Sequence, residues 1–219
     1  MKARIEGAPS FAHIHVQLAP GESITTESDA MASMDADLDV DAHLNGGFLS
    51  AVGKKFLGGE SLFINTFTNN AQEPRHLTIT QGIPGNIYQL ALNNDTICLQ
   101  PGAYLASTPG VELGLKYAGI PSFLGREGLF KLMVSGTGTL WYGAYGGLVE
   151  KQVEGEYIVD TGHLVAYPPH MKLKVQLAGG IFSSFFGGEG LVTRVEGYGK
   201  IVLQTRSLSG LAGWINPKL

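Results

Sequence analysis

The chain has 219 residues, of which 44% are hydrophobic and only 16% charged, with 31 glycines and a formal net charge of −4 at pH 7. That balance can bury a sizeable core, and it excludes a disordered or collagen-like chain, because the glycines follow no three-residue period and sit within apolar stretches. Residues 1–110 hold 5 Lys/Arg against 11 Asp/Glu and residues 111–219 hold 10 against 8, so neither half has the basic footprint of a nucleic-acid binder.

The opening residues, MKARIEGAPSF, carry neither the apolar run of a secretion signal nor an Arg-rich amphipathic stretch. No later run reaches the ~20 apolar residues of a spanning helix, and a cytoplasmic location is expected. Phe11 to Val16 reads as a strand with Ala12, Ile14 and Val16 on one side and His13 and His15 on the other. Such a pair chelates a transition metal once a third ligand joins it. The sequence identifies no third ligand, so a solvent-facing strand is the plainer expectation and no metal is assigned. His43, His76, His163 and His170 are scattered. The single cysteine, Cys98, excludes an intramolecular disulfide and a cysteine-cluster zinc site.

Asp35, Asp37, Asp39 and Asp41 alternate with Ala36, Leu38, Val40 and Ala42, which predicts one strand carrying four carboxylates on a single face. Between Glu22 and Asp41 there are seven acids and no Lys or Arg. Two roles stay open: a face that binds a cation or a basic partner, or a solvated face that blocks edge-to-edge pairing. Val40 stands where an EF-hand loop counted from Asp35 requires glycine.

Three octets then recur: Phe56-Leu-Gly-Gly-Glu-Ser-Leu-Phe63, Phe123-Leu-Gly-Arg-Glu-Gly-Leu-Phe130 and Phe185-Phe-Gly-Gly-Glu-Gly-Leu-Val192. Each leads into an alternating run, a break and a second run. The breaks are the Thr68–Arg75 loop, Ser135-Gly136-Thr137-Gly138 and Gly197-Tyr198-Gly199, and run–glycine turn–run predicts hairpins. Ala103–Ser107 and His163–Tyr167 look like one strand met twice, and Lys172–Leu177 alternates cleanly. The expectation is an all-β single domain of three repeated antiparallel units, at about 1–82, 83–150 and 151–219, in a pseudo-threefold arrangement of β-sandwich or double-stranded β-helix type with little helix.

Glu60, Glu127 and Glu189 recur at one position of the octet. Such carboxylates either accept backbone N–H groups of tight glycine turns or converge near the pseudo-threefold axis on a cation or a Lys/Arg. Phe48, Phe123, Phe182, Phe185 and Phe186 lie in glycine-flanked loops, where apolar side chains call for burial in the core or a subunit interface. Contact with a membrane surface is the lesser alternative, since few Lys/Arg lie nearby. G-x-S-x-G, H-E-x-x-H, Walker and C-x-x-C signatures are all missing.

The octets, Pro20-Gly21-Glu22, Met31-Ala32-Ser33-Met34-Asp35 and Val202-Leu203-Gln204-Thr205-Arg206-Ser207 together resemble bacterial members of the altered-inheritance-of-mitochondria family of mitochondrial biogenesis proteins. The resemblance spans nearly the whole chain and is most specific in the Gly-Gly-Glu-Gly-Leu stretch around Glu189. It implies a fold similar to the tryptophan RNA-binding attenuation protein, an antiparallel β-sandwich unit that assembles into rings. It implies no catalytic residues, and kinship of fold does not carry over tryptophan or RNA binding. The expected function is a non-enzymatic homo-oligomeric scaffold or binding protein without a cofactor, whose partners are further copies of itself or another protein. A ligand- or RNA-binding regulator, or an enzyme built on the repeated glutamates, are the alternatives.

Overall fold

Alternation in the first half of the chain sorts its side chains as the sequence predicts. In the strand His13–Leu18, Ile14, Val16 and Leu18 are buried and His13, His15 and Gln17 face outward. The computed structural model describes residues 1–44, 63–100, 102–117, 130–160, 162–177 and 191–216. Their strands in chain order are β1 (Lys2–Glu6), β2 (His13–Leu18), β3 (Ser23–Glu27), β4 (Met31–Met34), β5 (Asp39–Leu44), β6 (Phe63–Thr68), β7 (Arg75–Thr80) and β8 (Ile87–Leu99). There follow β9 (Tyr104–Ser107), β10 (Val111–Tyr117), β11 (Phe130–Gly143), β12 (Leu148–Asp160), β13 (Leu164–Tyr167), β14 (Lys172–Leu177) and β15 (Leu191–Gln204), then a helix α1 (Leu208–Ile215).

Strands β1, β2, β7 and β4 form a four-stranded sheet in that order. The others form an eleven-stranded sheet in the order β12-β15-β13-β8-β11-β9-β3-β6-β5, with β10 added to β11 and β14 to β15. The described pairings between these strands are antiparallel.

One apolar cluster joins the two sheets. Ile14, Val16, Leu18, Leu77 and Ile79 from the small sheet meet Ile24, Phe67, Leu105, Ala106 and Trp141 from the large one. Two further clusters draw only on the large sheet and its connections. One holds Leu99, Tyr104, Leu132, Leu140, Tyr142 and Val165, the other Cys98, Val153, Tyr167, Met171, Val195 and Ile201. A sheet that packs against itself must curl, which a twisted sheet of this width does.

The glycine breaks after the second and third octets are not hairpin turns. Phe130–Gly143 and Leu191–Gln204 each run through as one strand of 14 residues. Within β11, Gly136 pairs with Asp95 and Thr137 with Asn93, so Asn94 on β8 is bulged out of the ladder at φ +57°. Below this point β11 pairs with β10, and above it with β9. The strand β15 passes from β14 to β13 across Gly197 and Gly199 in the same way. Glycine is needed at Gly136, where φ is +115° and a Cβ would come 2.1 Å from the Gly110 carbonyl oxygen. Glycine in a strand marks a bulge, a bend or a turn, and periodicity on either side reads the same for all three. After the first octet the chain does break, between β6 and β7.

Leu77→Ala empties a site that is 1% exposed and is expected to cost about 2–5 kcal/mol of unfolding free energy. Tyr198→Ser, at a side chain 72% exposed, should stay within about 0.5 kcal/mol. Urea unfolding of the two variants measures both. Gly155 has φ +102° with nothing within 4 Å of an added Cβ. Gly155→Ala is therefore expected to lose about 1–3 kcal/mol from backbone strain alone, and Gly136→Ala to lose more, because strain and collision add. Equal losses would contradict the close approach at Gly110.

Candidate functional site

Glu6 ends β1 directly opposite His13 in the register with β2, and His15 lies opposite Arg4. The connection between the strands turns back on a hydrogen bond from the Phe11 amide to the Gly7 carbonyl, 3.0 Å. Gly7 adopts φ +70°, and a Cβ on it would lie 2.3 Å from the Phe11 carbonyl oxygen and 3.2 Å from His13 Nδ1. The chain therefore returns this tightly only with glycine there.

The three side chains converge on the outer face of the small sheet. Glu6 Oε2 lies 3.2 Å from His15 Nε2 and 3.8 Å from His13 Nε2. One donor atom from each of Glu6, His13 and His15 falls within 4.8 Å of the others. Among the described residues no other trio of His, Cys, Asp or Glu gathers so closely. The imidazoles stand edge to face at 82°, with ring centres 4.9 Å apart. The other carboxylate oxygen, Oε1, takes Arg4 Nε at 2.7 Å. His13 Nδ1 sits 3.4 Å from the Phe11 carbonyl, and Nε2 faces Glu6. His15 Nδ1 lies 3.2 Å from Thr78 Oγ1 on β7. The side chains are 43%, 30% and 37% exposed for Glu6, His13 and His15. Two imidazole nitrogens and a carboxylate oxygen make a donor set for a transition ion.

Sequence reasoning found two members of this group and missed Glu6. The signal was present. Lys2-Ala-Arg-Ile-Glu6 alternates, and Gly7-Ala8-Pro9-Ser10 breaks the chain before the histidine strand, so a hairpin sets the glutamate across from His13.

The four aspartates do not share one strand. Asp35 and Asp37 fall in the turn between β4 and β5, where the Leu38 amide donates to the Asp35 carbonyl at 3.2 Å. Leu38 is buried there, and the chain passes from the small sheet to the large one. Aspartate suits the first position of such a turn as well as an outer strand face, and alternation cannot separate the two. Each carboxylate meets a neighbour. Asp35 Oδ2 accepts the His76 amide at 2.8 Å, and both Asp37 oxygens take Arg75 Nε at 2.7 and 2.8 Å. Asp39 accepts from Asn70 Nδ2, and Asp41 lies opposite Thr66 on β6. His163 Nδ1 sits 2.7 Å from the Gln204 carbonyl and His170 Nε2 sits 2.9 Å from the Tyr198 carbonyl, so both serve local backbone. Glu60, Glu127 and Glu189, and Phe48, Phe123, Phe182, Phe185 and Phe186, lie outside the described residues.

The fold and this surface cluster define an all-β protein of antiparallel sheets with a histidine–glutamate group on its outer face. The family model described as "Mitochondrial biogenesis AIM24" matches residues 3–206, and the chain belongs to that family. An uncharacterized protein of Streptococcus pyogenes serotype M6 is 26% identical over 222 residues, covering 97% of this chain and 89% of its own length. An X-ray crystal structure of a Streptococcus pyogenes protein is similar at a TM-score of 0.79 and 26% identity, over 100% of this chain and 99% of that one.

The Arg75 hydrogen bond holds the Asp37 carboxyl below the ordinary carboxylate range. A depressed carboxylate adds stability above its unfolded value, about 3.9, and loses it as pH falls through the folded value. Arg75→Gln should return Asp37 to the ordinary range, read by carboxyl 13C NMR titration. An unmoved titration would contradict the pairing.

Proposed function

We propose that the chain is a non-enzymatic, self-associating scaffold or binding protein that works in the cytoplasm. The carrying observation is α1. This helix, Leu-Ser-Gly-Leu-Ala-Gly-Trp-Ile, is capped by Ser207, whose Oγ accepts the Gly210 amide at 3.1 Å, yet it buries none of its residues. Leu208, Trp214 and Ile215 are more than half exposed. An isolated helix of two turns is marginal in water, and most helical stability comes from packing an apolar face. A second copy supplies such a face without a further partner. The long edge strand β12 adds exposed Val149, Tyr157 and Ile158.

One further observation supports the proposal. Among the described residues, the carboxyls of Glu22, Asp37, Glu150 and Glu196 are lowered, chiefly by the Met1 amino group, Arg75, the Tyr88 hydroxyl and Lys174 respectively. A general acid needs the opposite displacement. Among the described residues no helix is long and apolar enough to cross a membrane.

The unit that assembles is, on this proposal, triplicated and pseudo-threefold. In β8–β11 the last strand pairs with each of the other three, and in β12–β15 the last strand again pairs with each of the other three. The segments containing the three octets connect the antiparallel pairs β5–β6, β10–β11 and β14–β15.

Light scattering after size exclusion should give a mass that is a multiple of 23.3 kDa, and the double variant Trp214→Asp, Ile215→Asp should lower it. A wild-type chain that stays monomeric throughout the micromolar range would overturn the proposal.

A further inference from the structure

We propose that Glu6, His13 and His15 form a zinc site, with Nε2 of each histidine and Oε2 of the glutamate as ligands and the remaining coordination open to solvent.

The first support is convergence. His13 Nε2 points into the same space as Glu6 Oε2, 3.8 Å away, and His15 Nε2 approaches that oxygen at 3.2 Å. Glu6 is already served by Arg4 through Oε1 at 2.7 Å, which leaves Oε2 free to ligate. In the absence of an ion a proton on Nε2 of either imidazole answers Oε2, and zinc binds in competition with it. A single divalent ion resolves the same convergence with all three donors used.

The second support is spacing. Zinc bonds of about 2.0–2.2 Å in tetrahedral geometry set donor atoms about 3.3 Å apart. The separations of 3.2 and 3.8 Å to Glu6 Oε2 lie within about half an ångström of that, and the third, within 4.8 Å, closes by rotation of side chains at least 30% exposed. Two histidines and a glutamate are a known zinc donor set that leaves a position for water or another ligand.

The third support is the surrounding shell. Metal-bound imidazoles are oriented by a partner on the other ring nitrogen, and ligating carboxylates by their own hydrogen bonds. The Phe11 carbonyl serves His13, Thr78 serves His15 and Arg4 serves Glu6. Their backbone is pinned from beneath by Ile14 and Val16, which alternate with the histidines and are 0% and 1% exposed. The site stands on the small sheet and does not rest on self-association.

The test is calorimetric titration of zinc chloride into the metal-stripped, untagged full chain, with cobalt(II) absorption as a second readout. The expected result is one ion per chain, visible cobalt d–d bands, and an affinity at least about tenfold weaker in His13→Ala and in His15→Ala, with Thr78→Val weakened less. Both histidines are on the outer face, so far-ultraviolet circular dichroism of these variants should match the wild type. No zinc uptake by the wild type, or wild-type affinity retained in either histidine variant, would overturn the site.

Discussion

Packing of the small sheet onto the large one decides where every other feature of the N-terminal half can lie. Ile14, Val16 and Leu18 on β2 and Leu77 and Ile79 on β7 all turn to one side, where Ile24, Phe67, Leu105 and Trp141 receive them. A strand has a period of two, so fixing those five inward fixes His13, His15, Thr78 and Thr80 outward. A slip of one residue would drive two imidazoles into an apolar interior, where an unpartnered polar group costs several kcal/mol. The histidine–glutamate group is therefore displayed by the hydrophobic effect acting on the residues between its members.

This explains which parts of the protein could be read from the sequence. Strands with one buried face announced themselves through alternation, as in β2 and β7. The short strands β9 and β13 are buried on both faces, and their near-continuous apolar composition marked them as equivalent. Glu6 escaped because its role depends on a register across a connection whose closure rests on Gly7, and spacing along one strand carries no such information. The helix α1 escaped because eight residues with two glycines show little period, and its capping serine is the one local cue.

The glycine pairs and the aspartates show a different limit. Runs on both sides of Gly136-Thr137-Gly138 alternate whether the chain reverses or merely bends, and the outcome depends on neighbours far away in sequence. Here β10 and β9 lie one after the other along the same edge of β11, so a strand that bends can serve both. That double service brings β8, β9, β10 and β11 together around the Leu140 cluster. In the Asp35–Asp41 segment the period of two is likewise genuine. Leu38 and the passage between sheets turn it into a corner at Asp35 and Asp37, followed by a strand from Asp39.

That corner also alters what the acidic run can offer an outside partner. Seven acids without a Lys or Arg between Glu22 and Asp41 look like an unanswered charge in sequence. In space Asp35 is answered by the His76 backbone, Asp37 by Arg75 and Asp39 by Asn70, all contributed by β7 or the loop before it. An incoming cation would have to displace those contacts. At Glu6 only a proton need be displaced: Arg4 occupies one oxygen, and the other already faces two imidazole nitrogens. Charge density along the chain pointed to the first place, whereas the convergence of two imidazoles on one carboxylate oxygen favours the second.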